Sequence, residues 1–129
     1  MSIPAVYDLT IIQGADTQRW FALKTPAGEV MNLATTGDGY TIGVATLRDQ
    51  YGGDLLIDPP LTTANGGVSL TYEADANGTY WSGYIAISAA MSEGLTDWGD
   101  GVWDLEISDG VHVYRVVKGQ CFLDPSLSE

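Results

Sequence analysis

The chain holds little of what most site chemistry requires. Of its 129 residues one is cysteine, Cys121, and one is histidine, His112. A lone thiol excludes an internal disulfide, and its setting in Gln120-Cys121-Phe122-Leu123 reads as a small buried side chain rather than a nucleophile. One histidine excludes the repeated imidazoles of most zinc sites, and there is no Gly-x-Ser-x-Gly elbow to join it in a hydrolase triad. Basic residues are also scarce: five Lys and Arg stand against seventeen Asp and Glu, a formal charge of −12. Phosphate backbones and anionic lipid surfaces are repelled by such a chain, so neither nucleic acid nor a membrane is an expected partner. No apolar run approaches the roughly 20 residues that cross a bilayer. The first residues lack the basic and apolar segments of an export signal, which predicts synthesis and retention in a cytoplasm. No helical period persists for three turns.

What is abundant is strand and turn chemistry. Sixteen Gly and many Thr, Val, Ile and Tyr predict short strands at residues 7–13, 18–24, 40–48, 54–58, 68–72, 79–88, 102–108, 111–119 and 121–123. Turn signals separate them, among them Asn65-Gly66-Gly67, Asn77-Gly78 and Asp109-Gly110. The last predicts a two-residue type I′ hairpin that pairs Ser108 with Val111. That register puts Trp103, Leu105 and Ile107 on one face with His112, Tyr114 and Val116, and sets Asp104 opposite Arg115. His112 is then a strand residue at the edge of the core. One helical turn is expected at residues 88–93, capped by Ser88 and ended by Gly94, as a crossover between sheets. The pattern predicts an all-β, immunoglobulin-like antiparallel β-sandwich with one short helical turn, formed by residues 1–123 as a single domain, with 124–129 a C-terminal tail.

Two constellations merit weighing for chemistry. The acidic run Asp97-Trp98-Gly99-Asp100-Gly101-Val102-Trp103-Asp104 lacks the alternating ligands and the closing Glu of an EF-hand loop. No metal or other cofactor is expected, nor a catalytic residue. The aromatics divide in two. Trp81 alternates with Ile85 and Ile87, and Trp103 with Leu105 and Ile107, which assigns both indoles to the core. Trp98 in a Gly-rich loop, with Tyr80 and Tyr84 on the opposite face of their strand, are the candidate surface contacts, together with the turn Asn65, Gly66 and Gly67.

Read from end to end, several individually plain segments follow one another in a specific order. They are the run from Tyr7-Asp8-Leu9 to Gly14-Ala15-Asp16, the turn Pro26-Ala27-Gly28 leading to Asn32-Leu33, and Leu47-Arg48-Asp49 followed by Tyr51-Gly52. Residues 61–70, the run Ile85-Ala86-Ile87-Ser88-Ala89-Ala90, Val102-Trp103-Asp104-Leu105-Glu106 and Lys118-Gly119 complete the set. In this the chain resembles a group of small tailed-bacteriophage proteins encoded among virion structural genes, whose sequence also forms the N-terminal domain of some tail-fibre and baseplate proteins. The resemblance spans nearly the whole chain. It implies a β-sandwich that works by assembly: a non-enzymatic virion component, made in the host cytoplasm, whose partners are other virion proteins in a symmetric homo- or hetero-oligomer. It brings no set of site residues with it. Asp58-Pro59-Pro60, the run Ala74-Asp75-Ala76-Asn77 and the bulky Trp81 depart from the pattern. A capsid decoration protein and a carbohydrate-binding adhesion module are the alternative roles.

Overall fold

The computed structural model describes residues 5–24, 27–33, 39–93, 95 and 100–124. In chain order the strands are β1 (Ala5–Val6), β2 (Leu9–Ile12), β3 (Thr17–Phe21), β4 (Ile42–Arg48), β5 (Leu61–Thr62) and β6 (Val68–Ser69). They are followed by β7 (Glu73–Ala74), β8 (Tyr80–Trp81), β9 (Gly83–Ile87), helix α1 (Ala89–Glu93), β10 (Asp100–Ser108) and β11 (Val113–Asp124). The protein is an all-β sandwich. The larger sheet runs β5-β4-β10-β11, with β1 and β2 both lying along the free side of β11; the smaller runs β3-β9-β6. A separate ribbon is made by β7 and β8. Helix α1 links β9 in the smaller sheet to β10 in the larger, the crossover expected, and Ser88 Oγ caps it by accepting from the Met91 N–H at 3.1 Å.

Alternation explains the core. Leu105, Ile107 and Trp103 of β10, Ala45 and Leu47 of β4, and Val117, Cys121 and Leu123 of β11 are buried and face Phe21, Val68, Ile85 and Ile87 of the smaller sheet. The outward residues between them are partly or fully exposed, as a period of two demands. β1 and β2 pair with β11 in parallel, a departure from the purely antiparallel expectation. The jog between them is held by three specific bonds. Tyr7 N–H donates to Lys118 O at 2.9 Å, Gln120 N–H donates to the Asp8 carboxylate at 3.1 Å, and the buried Trp103 indole N–H donates to Tyr7 O at 2.8 Å. Gly119 is what lets the strands close there, since any Cβ would run into the Tyr7 carbonyl oxygen.

The long hairpin is present with a different turn. β10 and β11 meet with Ser108 opposite Val113, so the connection is the four residues 109–112 rather than two. Asp109 explains the difference: its Oδ1 accepts from the N–H groups of Val111 at 2.9 Å and His112 at 2.8 Å. Only Gly110 takes a positive φ, 97°, whereas a type I′ turn needs two such residues. His112 therefore sits in the turn and is exposed, not a strand residue at the core edge. A bulge after Leu105 then shifts the register, so Leu105 faces Val117, and both Val116 and Val117 are buried. The Asp104–Arg115 pairing survives as a salt bridge of 3.2 Å, although the residue directly across from Asp104 is Lys118.

Other boundaries move as well. Residues 54–58 contribute only an isolated bridge from Leu55 to Arg48, and β11 takes in Asp124, one residue past the expected tail boundary. The strand expected over 79–88 is broken at Ser82. The Ser82 N–H donates to Phe21 O at 2.8 Å and its hydroxyl accepts from Leu23 N–H at 3.0 Å, which buries the serine and releases the chain before it into the ribbon. Trp81 is accordingly in the ribbon and only partly buried, not in the core.

Candidate functional site

Two grooves lie along the smaller sheet and its ribbon. The first is aromatic. On β3, Phe21 points inward, so Gln18 and Trp20 point outward, and Trp20 sits opposite Tyr84 of β9 with ring centroids 4.8 Å apart. Trp20 Nε1 donates to Gln18 Oε1 at 3.1 Å. The ribbon supplies the facing wall. Asp75 closes its turn by accepting at Oδ1 from Asn77 N–H at 2.8 Å and Thr79 N–H at 3.0 Å, while Oδ2 accepts from Trp81 Nε1 at 3.1 Å. The indole bond first, then the backbone N–H groups, hold the Asp75 carboxyl below the ordinary carboxylate range. Trp20, Glu73, Ala74, Asp75 and Trp81 enclose a groove of about 240 Å³. Both ring nitrogens are already engaged, so the groove is lined by aromatic carbon and carboxylate oxygen.

A second, larger groove of about 460 Å³ runs between Asp16, Thr17 and Gln18, the turn Asn65-Gly66-Gly67, and Ser88 and Met91 beside α1. Asn65 is the keystone of its turn: Oδ1 accepts from Thr62 N–H at 2.8 Å and Gly67 N–H at 3.0 Å, and Nδ2 donates to Pro60 O at 3.0 Å. Opposite it, Asp16 Oδ1 accepts from Ala89 N–H at 2.7 Å and fixes α1 against the β2–β3 turn. Gln18 belongs to this groove while its side chain holds Trp20 of the other, so the two grooves share a wall.

The opposite side of the molecule differs in character. On the outer face of the larger sheet, Asp104 has Lys118 directly across on β11, Arg115 Nε at 3.2 Å, and Arg48 near enough to act on its carboxyl. Partial burial raises the Asp104 pKa, and Arg115 and Arg48 oppose that rise. Val6, Ile12, Ile42 and Val113 are exposed on the same face, Val6 at 67% and Val113 at 62%.

The expected contact residues are thereby divided. Tyr84 joins the aromatic groove through Trp20; Tyr80 is 45% exposed and stacks on Tyr72 at 4.7 Å; Asn65, Gly66 and Gly67 line the second groove. Trp98, Asp97 and Gly94 lie outside the described residues. His112 stands beside Asp109, Nδ1 to Oδ2 3.7 Å, in open solvent. Cys121 is fully buried and burial pushes its thiol up to about 12. Among the described residues no three His, Cys, Asp or Glu side chains are grouped to hold a metal ion. Sequence reading missed Trp20, Glu73, Asp75 and Trp81 as a group. The signal was present in Asn77-Gly78, which marks a hairpin whose arms are residues 73–75 and 79–81. Comparison with protein-family models, curated proteins and solved structures finds no match.

Proposed function

We propose that the chain is a non-enzymatic structural component of a tailed-bacteriophage virion, associated with the tail, baseplate or fibres, which joins neighbouring subunits through its loops, edges and sheet faces. The observation that carries the assembly reading is the apolar surface left outside both sheets: the aliphatic set Val6, Ile12, Ile42 and Val113 on one, the aromatic groove on the other. The virion setting is supported by the resemblance of the ordered segments to phage structural proteins. Three of those segments meet in space: Tyr7, Trp103 and Gly119 form the junction of β1, β2, β10 and β11. We also read the fold as immunoglobulin-like, because β3-β9-β6 and β11-β10-β4-β5 have the neighbours of the B-E-D and G-F-C-C′ strands.

Capsid decoration uses the same contacts at another place in the particle. A carbohydrate-binding adhesion role is favoured by one observation, the pair of indoles in a groove beside carboxylates. Quantitative mass spectrometry of purified particles tests the virion reading. The chain is expected at a fixed copy number relative to the major tail or capsid protein; its absence from particles overturns the reading.

A further inference from the structure

We infer that the aromatic groove receives an arginine side chain presented by a neighbouring protein other than a second copy of this chain, its guanidinium against the indoles of Trp20 and Trp81 and beside the carboxylates of Glu73 and Asp75. This rests on the assembly reading and gives the chemistry of the partner.

The walls of the groove decide what it can hold. Glu73 stands directly across from Trp81 in the ribbon, so the two side chains share one ribbon face, and Asp75 and Trp20 complete the lining. Among the described residues neither carboxylate has a basic side chain at ion-pair distance. Both indole N–H groups are spent, on Gln18 and Asp75, so the lining side chains accept hydrogen bonds and have no free donor. That suits a group with N–H donors alone. A guanidinium is planar, weakly hydrated and stacks on aromatic faces while it forks to carboxylates, whereas an ammonium holds its water tightly and a sugar hydroxyl needs donors as well as acceptors. At about 240 Å³ the groove falls short of the roughly 300–1,000 Å³ that encloses a whole small ligand, which leaves room for one long side chain. The protein already makes one contact of this kind: Arg19, which alternates with Trp20 on β3, lies over the Tyr7 ring at 4.8 Å. All three arginines of the chain are engaged at home. Besides Arg19, Arg48 Nη1 donates to Gly53 O at 2.7 Å, and Arg115 is bridged to Asp104 at 3.2 Å with Glu106 directly across from it. A formal charge of −12 attracts a basic partner and sets copies of this chain against one another.

NMR of the indole N–H resonances in the whole chain, titrated with a capped Gly-Arg-Gly peptide, tests this. The Trp20 and Trp81 signals are expected to shift saturably with a Kd of about 1 mM, the weak end of specific binding, while the Trp103 signal, bonded to Tyr7 O in the core, stays still. The same peptide with citrulline, which keeps the shape and loses the charge, should bind about tenfold more weakly, and about 0.5 M salt should weaken the arginine peptide. Glu73→Gln changes an exposed side chain, should melt with the parent, and should raise the Kd about threefold. No shift at about 20 mM peptide, equal binding of the citrulline peptide, or an unchanged Kd in Glu73→Gln each overturns the inference. Tighter binding of free arginine, whose own carboxylate the groove repels, overturns it in favour of a small-molecule site. Shifts with methyl glycosides and none with the peptide overturn it in favour of a sugar site, and shifts that follow the concentration of the protein itself overturn it in favour of a second copy. A chain at fixed copy number in particles that ignores the arginine peptide defeats this inference and spares the virion reading.

Discussion

Trp103 combines two roles in one side chain, filling the core between the sheets and tying β10 to the Tyr7 carbonyl at the β1–β2 jog. Trp103→Ala removes both and is expected to cost about 3–5 kcal/mol, read from urea unfolding. A variant melting within a degree or two of the parent would mean that the hairpin faces are inverted. Cys121 gives a second test. Its folded pKa of about 12 lies above the ordinary 9.0, so its stabilising contribution is present below pH 9 and is lost as pH rises towards 12. Native protein at pH 8 should leave a thiol reagent unreacted, and urea-unfolded protein should react with one equivalent. Both positions were legible in the sequence, because alternation along a long strand decides which side chains turn inward. His112 was not, because its place depends on where the Asp109 carboxylate closes the turn, which strand periodicity does not encode.

At the scale of elements, the ribbon of β7 and β8 hangs on Asp75. Its depressed pKa means that the ionised carboxylate stabilises the folded ribbon above pH 3.8, and that this contribution is lost as pH falls through the lowered folded value. Acid should therefore change Trp81 emission in that window, and Asp75→Ala should give the acid spectrum at pH 7; an Asp75→Ala spectrum identical to the parent would show that the carboxylate does not position the indole. The helix is simpler: Ser88→Ala is expected to cost about 1 kcal/mol through loss of the cap, measured by thermal unfolding. The helix and its cap were readable from residues 88–93. The break at Ser82 was not, because the bonds that turn the chain there come from Phe21 and Leu23, 61 and 59 residues away in sequence. The alternation of Trp81 with Ile85 and Ile87 continued across that break and concealed the groove.

For the whole molecule, short strands, turn spacing and charge were enough to read an all-β sandwich, whereas the pairing of β1 and β2 with the far end of the chain is a long-range contact that local pattern does not specify. The distribution of charge over the two outer faces was equally hidden, since Arg48, Arg115 and Lys118 come together only once β4, β10 and β11 are side by side. In the proposed virion role these faces, and the turn Asn65-Gly66-Gly67, are covered by neighbouring subunits. A reconstruction of the purified phage particle that traces this chain tests that most directly. It should show repeated copies with the outer face of the larger sheet and the aromatic groove of the smaller buried against neighbouring subunits. Particles without the chain, or with both faces open to solvent, would contradict it.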